Sequence, residues 1–228
     1  MLYPRIIPCL LVHNKGLVKT VKFKDFKYVG DPINAVKIFN EKEVDELIVL
    51  DIDATVENRG PDYKMIENLA NECRMPLCYG GGIKTASQAQ RILSLGVEKV
   101  AISSAVFNNL DIVKEISTEV GSQSVVVVFD VKKKIFGGYE IFTHNAENKI
   151  KQDFLKLVER VQKFGAGEII INSIDNDGVM KGYDLDLIGK VKDKLNIPMT
   201  VLGGAGALKD IGKAIAKFGI IGCAAGSL

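Results

Sequence analysis

The stretch YGGGIKTASQAQRILSLGVEKVAISS, residues 79–104, aligns without a gap on LGGAGALKDIGKAIAKFGIIGCAAGS, residues 202–227. The overlay sets Gly80, Gly81 and Gly96 on Gly203, Gly204 and Gly219. Each copy reads as a strand ending in a glycine-rich turn, a helix closed by glycine, and a further strand ending in small residues. A second overlay supports the first: DELIVLDIDAT, residues 45–55, matches AGEIIINSIDND, residues 166–177, with Glu46 on Glu168 and Asp53 on Asp175. The chain reads as two copies of one half-barrel, so it should carry two equivalent sites about a pseudo-twofold axis.

The same rhythm extends along the whole chain. RIIPCLL, ELIVLDI, PLCYG, KVAIS, SVVVVFD, EIIINSI, PMTVL and IGCAA mark eight strands with seven intervening helices. Strands that are apolar on both faces belong to parallel sheets covered by helices. Eight such units in 228 residues point to one α/β domain, a (β/α)8 TIM barrel built from two duplicated half-barrels. A doubly wound open sheet is the alternative. Local signals agree: Asp31 before Pro32 reads as an N-cap followed by the favoured first helical position, and Gly96, Gly165 and Gly219 read as helix ends. The sequence stops at Leu228, just past the eighth strand, so a covering C-terminal helix is expected beyond it, because without one an apolar face would be open.

Composition narrows the function. With 47% hydrophobic and 25% charged residues and a formal charge of +2, the chain suits a globular protein with a large core, and no nucleic-acid partner is expected. The longest apolar runs fall well short of the ~20 residues a membrane span needs, and no secretory signal opens the sequence, so a cytoplasmic protein without a membrane partner is expected. Cys9, Cys73, Cys78 and Cys223 form no C-x-x-C pair and read as core residues. His13 and His144 both read as ordinary surface. No metal or other cofactor is expected.

In each half the glycine-rich turn is followed about twenty residues later by a strand ending in small residues. Glycines let backbone approach an anion, and loop amides supply donors. Gly81, Gly82, Ser103 and Ser104 are therefore expected to form one phosphate cup, and Gly203, Gly204, Gly226 and Ser227, with Gly178, a second. The implied ligand is a small molecule with a phosphate at each end. At the opposite end, Arg5, Glu46, Lys99 and Glu168 stand at the starts of the first, second, fourth and sixth strands. Buried charges must pair, so they read either as an ion-pair plug or as something functional.

The motifs RIIPCL, GDP, DELIVLDI, GGGIK, VGSQSVVVVFD, GAGEI, SIDNDG, GYD and GGAG together resemble, over essentially the whole chain, the cyclase subunit of imidazole glycerol phosphate synthase, called HisF. The resemblance implies a barrel that receives ammonia from a HisH-like glutaminase docked on its N-terminal face, with Arg5, Glu46, Lys99 and Glu168 as the ammonia gate. It also implies lyase chemistry of histidine biosynthesis at the other end, where two aspartates act as acid and base on a bisphosphorylated substrate. Asp130 matches one of the two, and Lys19, in a loop after the first strand, and Asp177 match further catalytic positions. Leu11 stands where the other aspartate belongs, and leucine transfers no proton. Asn172, Ser103 and Leu202 also replace the family's threonine, asparagine and serine.

These departures resemble the HisF-like subunits encoded with surface-polysaccharide genes. That likeness implies passage of ammonia to a third, amidotransferase subunit that converts an acetamido sugar to an acetamidino sugar. A true cyclase with altered residues, another phosphosugar enzyme and a non-catalytic module binding through the phosphate cups are the other readings.

Overall fold

The computed structural model describes residues 3–227. Its centre is a barrel of eight strands: β1 (Arg5–His13), β2 (Leu47–Asp51), β3 (Leu77–Gly80), β4 (Lys99–Ile102), β5 (Val125–Lys133), β6 (Glu168–Ser173), β7 (Met199–Leu202) and β8 (Gly222–Ala225). Each pairs in parallel with the next, and β8 returns to β1 with Arg5 opposite Gly222. The barrel is closed, which excludes the open sheet.

Around it lie α1 (Pro32–Glu41), α2 (Tyr63–Glu72), α3 (Ala86–Ser94), the short α4 (Ser104–Asn108), α5 (Asp111–Val120), α6 (Phe154–Lys163), α7 (Leu185–Lys192) and α8 (Leu208–Phe218). Seven of these connect successive strands, and α4 is a single extra turn after β4. The Asp31 carboxylate caps α1 by accepting from the Asn34 amide at 3.0 Å, ahead of Pro32. Thr85 and Gln88 cap α3 reciprocally, which orients the helix as it leaves the glycine-rich turn. None of the helices described is long and apolar enough to cross a membrane.

The apolar runs are explained by two cores. In β5, Val125, Val127 and Phe129 face the helices, while Val126 and Val128 face the barrel axis. Phe129 meets Phe107 and Phe154 at ring-centroid separations of 5.6 and 5.7 Å, and α6 buries Phe154, Leu157, Val158 and Val161 at helical spacing on that side. The axial core holds Ile7, Cys9, Ile48, Cys78, Ala101, Val126, Val128, Ile170, Leu202 and Ala224. Cys9 and Cys78 thus pack as expected, and burial pushes both thiols up.

Two elements go beyond the eight-unit reading. The loop after β1 is a β-hairpin, Gly16–Val21 with Lys24–Gly30, and β5 continues into a hairpin with Tyr139–Thr143, which pairs onward with Asn148–Ile150. Both leave the C-terminal end of the first strand of a half-barrel. Their bases are tied alike: the Asp53 carboxylate accepts from the Asn14 amide at 2.7 Å, and the Asp175 carboxylate from the Lys133 amide at 2.9 Å. The aspartates that overlay in sequence therefore perform the same task in three dimensions.

Candidate functional site

At the N-terminal face the four charges form a ring of alternating sign. Arg5 contacts both Glu46 and Glu168, the latter at 2.5 Å, and Lys99 Nζ lies 2.9 Å from both Glu46 oxygens and 2.8 Å from Glu168 Oε2. Thr200 donates to Glu168 at 2.6 Å and completes its coordination. Both glutamates are buried. Burial alone would raise the Glu168 carboxyl, but Arg5 and Lys99 outweigh it and hold the group below its usual range. Burial likewise opposes the charge of Lys99, and the two carboxylates reverse that effect. The ring needs a gap in β8: a Cβ at Gly222 would stand 2.0 Å from Thr200 Oγ1 and 3.2 Å from Arg5.

At the C-terminal face a cavity of about 1240 Å³, counting the part open to solvent, is framed by the strand ends and both hairpins. It brings together Leu11, Asp130, Asp177 and every residue expected in the two phosphate cups: Gly81, Gly82, Ser103 and Ser104 on one side, Gly178, Gly203, Gly204, Gly226 and Ser227 on the other. Several of these glycines have a packing reason of their own. A Cβ at Gly204 would come within 2.2 Å of the Gly182 carbonyl oxygen, and one at Gly178 within 2.0 Å of the Thr20 carbonyl oxygen.

Asp130 and Asn172 stand opposite each other on β5 and β6, and the Asn172 amide donates to the Asp130 carboxylate at 2.9 Å. Burial pushes the Asp130 carboxyl up to about 7, Asn172 works against that, and the charge of Asp177 adds to it. Such a carboxyl can hold or release a proton at neutral pH. The equivalent positions on β1 and β2 are Leu11 and Leu50, also opposite each other. The polar pair thus exists in one half-barrel only. The amide oxygen of Asn172 is buried with no partner among the described residues, a demand that a donor in the cavity would meet.

Asp177 is raised by burial, against the donors it binds. Its carboxylate accepts from Thr20 Oγ1 at 2.7 Å and from the Phe23 amide at 3.0 Å, so it fastens the first hairpin beside the mouth. Lys19 is half-buried on that hairpin, opposite Lys27, and does not line the cavity. The structure therefore brings Asp177 to the mouth but leaves Lys19 outside it.

Some residues at or near the mouth escaped the sequence reading. Asp51 lines the cavity and is gripped by Arg59 through two bonds of 2.6 and 2.8 Å, with the amides of Asp53 and Ala54 adding donors. Neither histidine is ordinary surface. His13 Nδ1 bonds the buried Asp53 at 2.6 Å and its ring stacks on Phe26, while His144 and Asn145 line the cavity.

This geometry can be set against known proteins. The sequence profile of the family described as histidine biosynthesis protein matches residues 5–228. The chain belongs to this family, in its HisF-like branch. It is 58% identical, over its whole length and 88% of the relative, to a Vibrio vulnificus protein provisionally named imidazole glycerol phosphate synthase subunit hisF3. A Pseudomonas aeruginosa protein provisionally named subunit hisF2 of the same synthase is 49% identical over all of this chain and 91% of its own. The imidazole glycerol phosphate synthase subunit HisF of Saccharolobus solfataricus is 40% identical over 90% of this chain and 81% of its own. In this HisF-like chain the leucine pair on β1 and β2 makes half of the mouth floor apolar, continuous with the axial core below it. Between the ring and the mouth the barrel axis is lined by aliphatic side chains and the two thiols of Cys9 and Cys78.

Proposed function

We propose that this chain is the barrel subunit of a glutamine-dependent amidotransferase, fed with ammonia by a HisH-like glutaminase at its N-terminal face and binding a phosphorylated small molecule at its mouth. The observation that carries the reading is Leu11 beside Leu50 where an acid would complete the pair with Asp130. With one carboxyl in place, the mouth is suited to delivering ammonia to a third, amidotransferase subunit of surface-glycan synthesis rather than to closing a ring itself. The apolar axis supports this, because neutral ammonia crosses such a lining at little cost, whereas an ammonium ion would have to shed its hydration. In this reading Arg5, Glu46, Lys99 and Glu168 are the gate, and ammonia passes only when the ring loosens. The numbered names hisF2 and hisF3 of two relatives are what second copies beside a histidine-pathway enzyme would carry.

Asp130 favours a second reading, a true cyclase. Its carboxyl, pushed up to about 7 by burial and backed by Asn172, is placed for acid–base work. Purified protein supplied with ammonia and the bisphosphorylated formimino substrate separates the two. The conduit reading expects turnover below a cyclase's by the ~10²–10⁴-fold that acid–base assistance provides. Turnover at the rate of a cyclase would overturn it.

A further inference from the structure

The mouth cavity has an unusual charge inventory for a site expected to hold phosphates. Among its described lining residues there is no lysine or arginine, and the acids are Asp51, Asp130 and Asp177. Asp51 is matched by Arg59. Burial pushes the Asp130 carboxyl up to about 7, which lessens the negative charge it presents near neutrality, and burial also raises Asp177. That leaves His144 as the lining side chain able to carry a positive charge.

The backbone holds His144 there by a conformation that L-residues seldom adopt. His144, Asn145 and Ala146 have φ values of 52°, 54° and 68°, three left-handed residues in succession with no glycine among them. Such backbone persists where the surroundings enforce it, and it gathers at binding and catalytic sites. Here the turn is enforced from both ends: the Glu147 amide donates to the His144 carbonyl at 3.1 Å, and the Asn145 side chain donates to the Ile52 carbonyl across the mouth at 3.2 Å. The ring is steadied through Nδ1, 3.0 Å from Thr143 Oγ1, and Nε2 has no partner among the described residues.

We propose that His144 is a ligand-binding residue of the mouth, the side chain that meets the charge of a phosphorylated ligand whose remaining oxygens are held by the glycine-turn amides. The assignment rests on the phosphorylated-ligand reading above and extends it to a residue and a pH dependence. Histidine ordinarily changes charge between pH 5 and 8, so affinity should fall as pH rises through that interval. The groups facing His144 act in the same direction or not at all. Asp130 gains negative charge as pH rises, the Asp177 carboxylate is held by Thr20 and the Phe23 amide, Asp51 stays paired with Arg59, and Thr143 does not titrate. Glu147 stands at the exposed end of the turn.

The test is isothermal titration of the intact chain with fructose 1,6-bisphosphate and with inorganic phosphate at pH 5.5 and 8.0, for wild type, His144→Gln and His144→Lys. Phosphate groups and Asp130 titrate in the same window, so the readout is the difference between proteins rather than the slope of one. Wild type should show a ratio of affinities, pH 5.5 over pH 8.0, about tenfold larger than His144→Gln, the size of one charge-assisted hydrogen bond. The lysine variant should keep tight binding at pH 8.0. The chain has two histidines, so His144→Gln also assigns the imidazole proton resonances by NMR, and the His144 midpoint should rise when ligand is added. If His144→Gln binds as tightly as wild type with the same pH dependence, His144 is not a ligand-binding residue. If the folded wild type binds neither probe at either pH, the phosphorylated-ligand reading itself fails, and the assignment with it.

Discussion

Replacing Lys99 by alanine would leave two buried glutamates facing one cation. The lysine makes three contacts of 2.8–2.9 Å with Glu46 and Glu168, whose side chains are each 5% exposed. Breaking a buried ion pair by removing one partner costs ~3–5 kcal/mol. Two features reduce that here: Arg5 still bridges both carboxylates, and the Lys99 side chain is 19% exposed, so water screens part of its charge. We expect a loss of about 2–3 kcal/mol in urea unfolding at neutral pH. The pH dependence has a definite sign. Glu168 is held below its usual range in the folded state, so the stability it contributes is present above the ordinary carboxylate pKa and is lost as pH falls through the lower folded value. The variant lacks part of that stabilisation, so the gap between the two proteins should be widest near pH 7 and should narrow below about pH 4. The functional assay is glutamine hydrolysed per amidated product with the glutaminase and acceptor subunits present, a ratio that should rise as ammonia escapes. A variant that loses less than ~1 kcal/mol would refute the energetics, since an exposed pair is worth no more. One that is destabilised as expected but keeps the wild-type ratio would leave the ring as a structural plug and refute the gate.

Asp130→Asn should be more stable than wild type at pH 8. Burial raises the folded carboxyl to about 7, so its contribution is intact below the unfolded pKa of ~4 and is lost as pH rises through 7, by about 2 kcal/mol once solvent in the mouth is allowed for; urea midpoints across pH 4–8 check this. Gly222→Ala should cost ~1–3 kcal/mol and disturb the ring, because its Cβ would lie 2.0 Å from Thr200 Oγ1; thermal unfolding and the coupling ratio would register both effects. Leu11→Asp alone should give little cyclase turnover, since Ser103, Asn172 and Leu202 also differ and geometry must be right before a proton donor helps; product absorbance under saturating ammonia would show any larger gain. Thr20→Val should cost ~1 kcal/mol through the lost 2.7 Å bond to Asp177 and speed proteolysis within the first hairpin, measured by limited digestion.

The barrel was legible because its signals are local and repeated. Valine runs such as Val125–Phe129 face a core on both sides, and the glycine turns recur at the same offset in each half. The hairpins were not legible, for reasons visible in their turns. Asn14–Lys15 and Lys22–Phe23 take left-handed backbone without the glycine that usually signals it, and the strand Lys24–Gly30 is almost fully exposed, so it shows no alternation of apolar and polar residues. The roles of His13 and His144 depend on those hairpins folding back over the mouth, contacts between residues far apart in sequence. The ring charges, by contrast, could be read because each stands at the start of a strand, and strand order alone brings them together.

The leucine pair on one half of the mouth and the aspartate–asparagine pair on the other have a geometric consequence. A duplicated frame with two matched glycine turns could accept an elongated two-headed molecule in either of two head-to-tail orientations at nearly equal energy. The floor removes that degeneracy, because turning the molecule around would exchange whatever rests on Asp130 and Asn172 with whatever rests on Leu11 and Leu50. Once the two halves differ at these four positions, a nearly symmetric barrel has a polarity across its mouth as well as along its axis, and an occupant reaching both glycine turns can be read in one direction only.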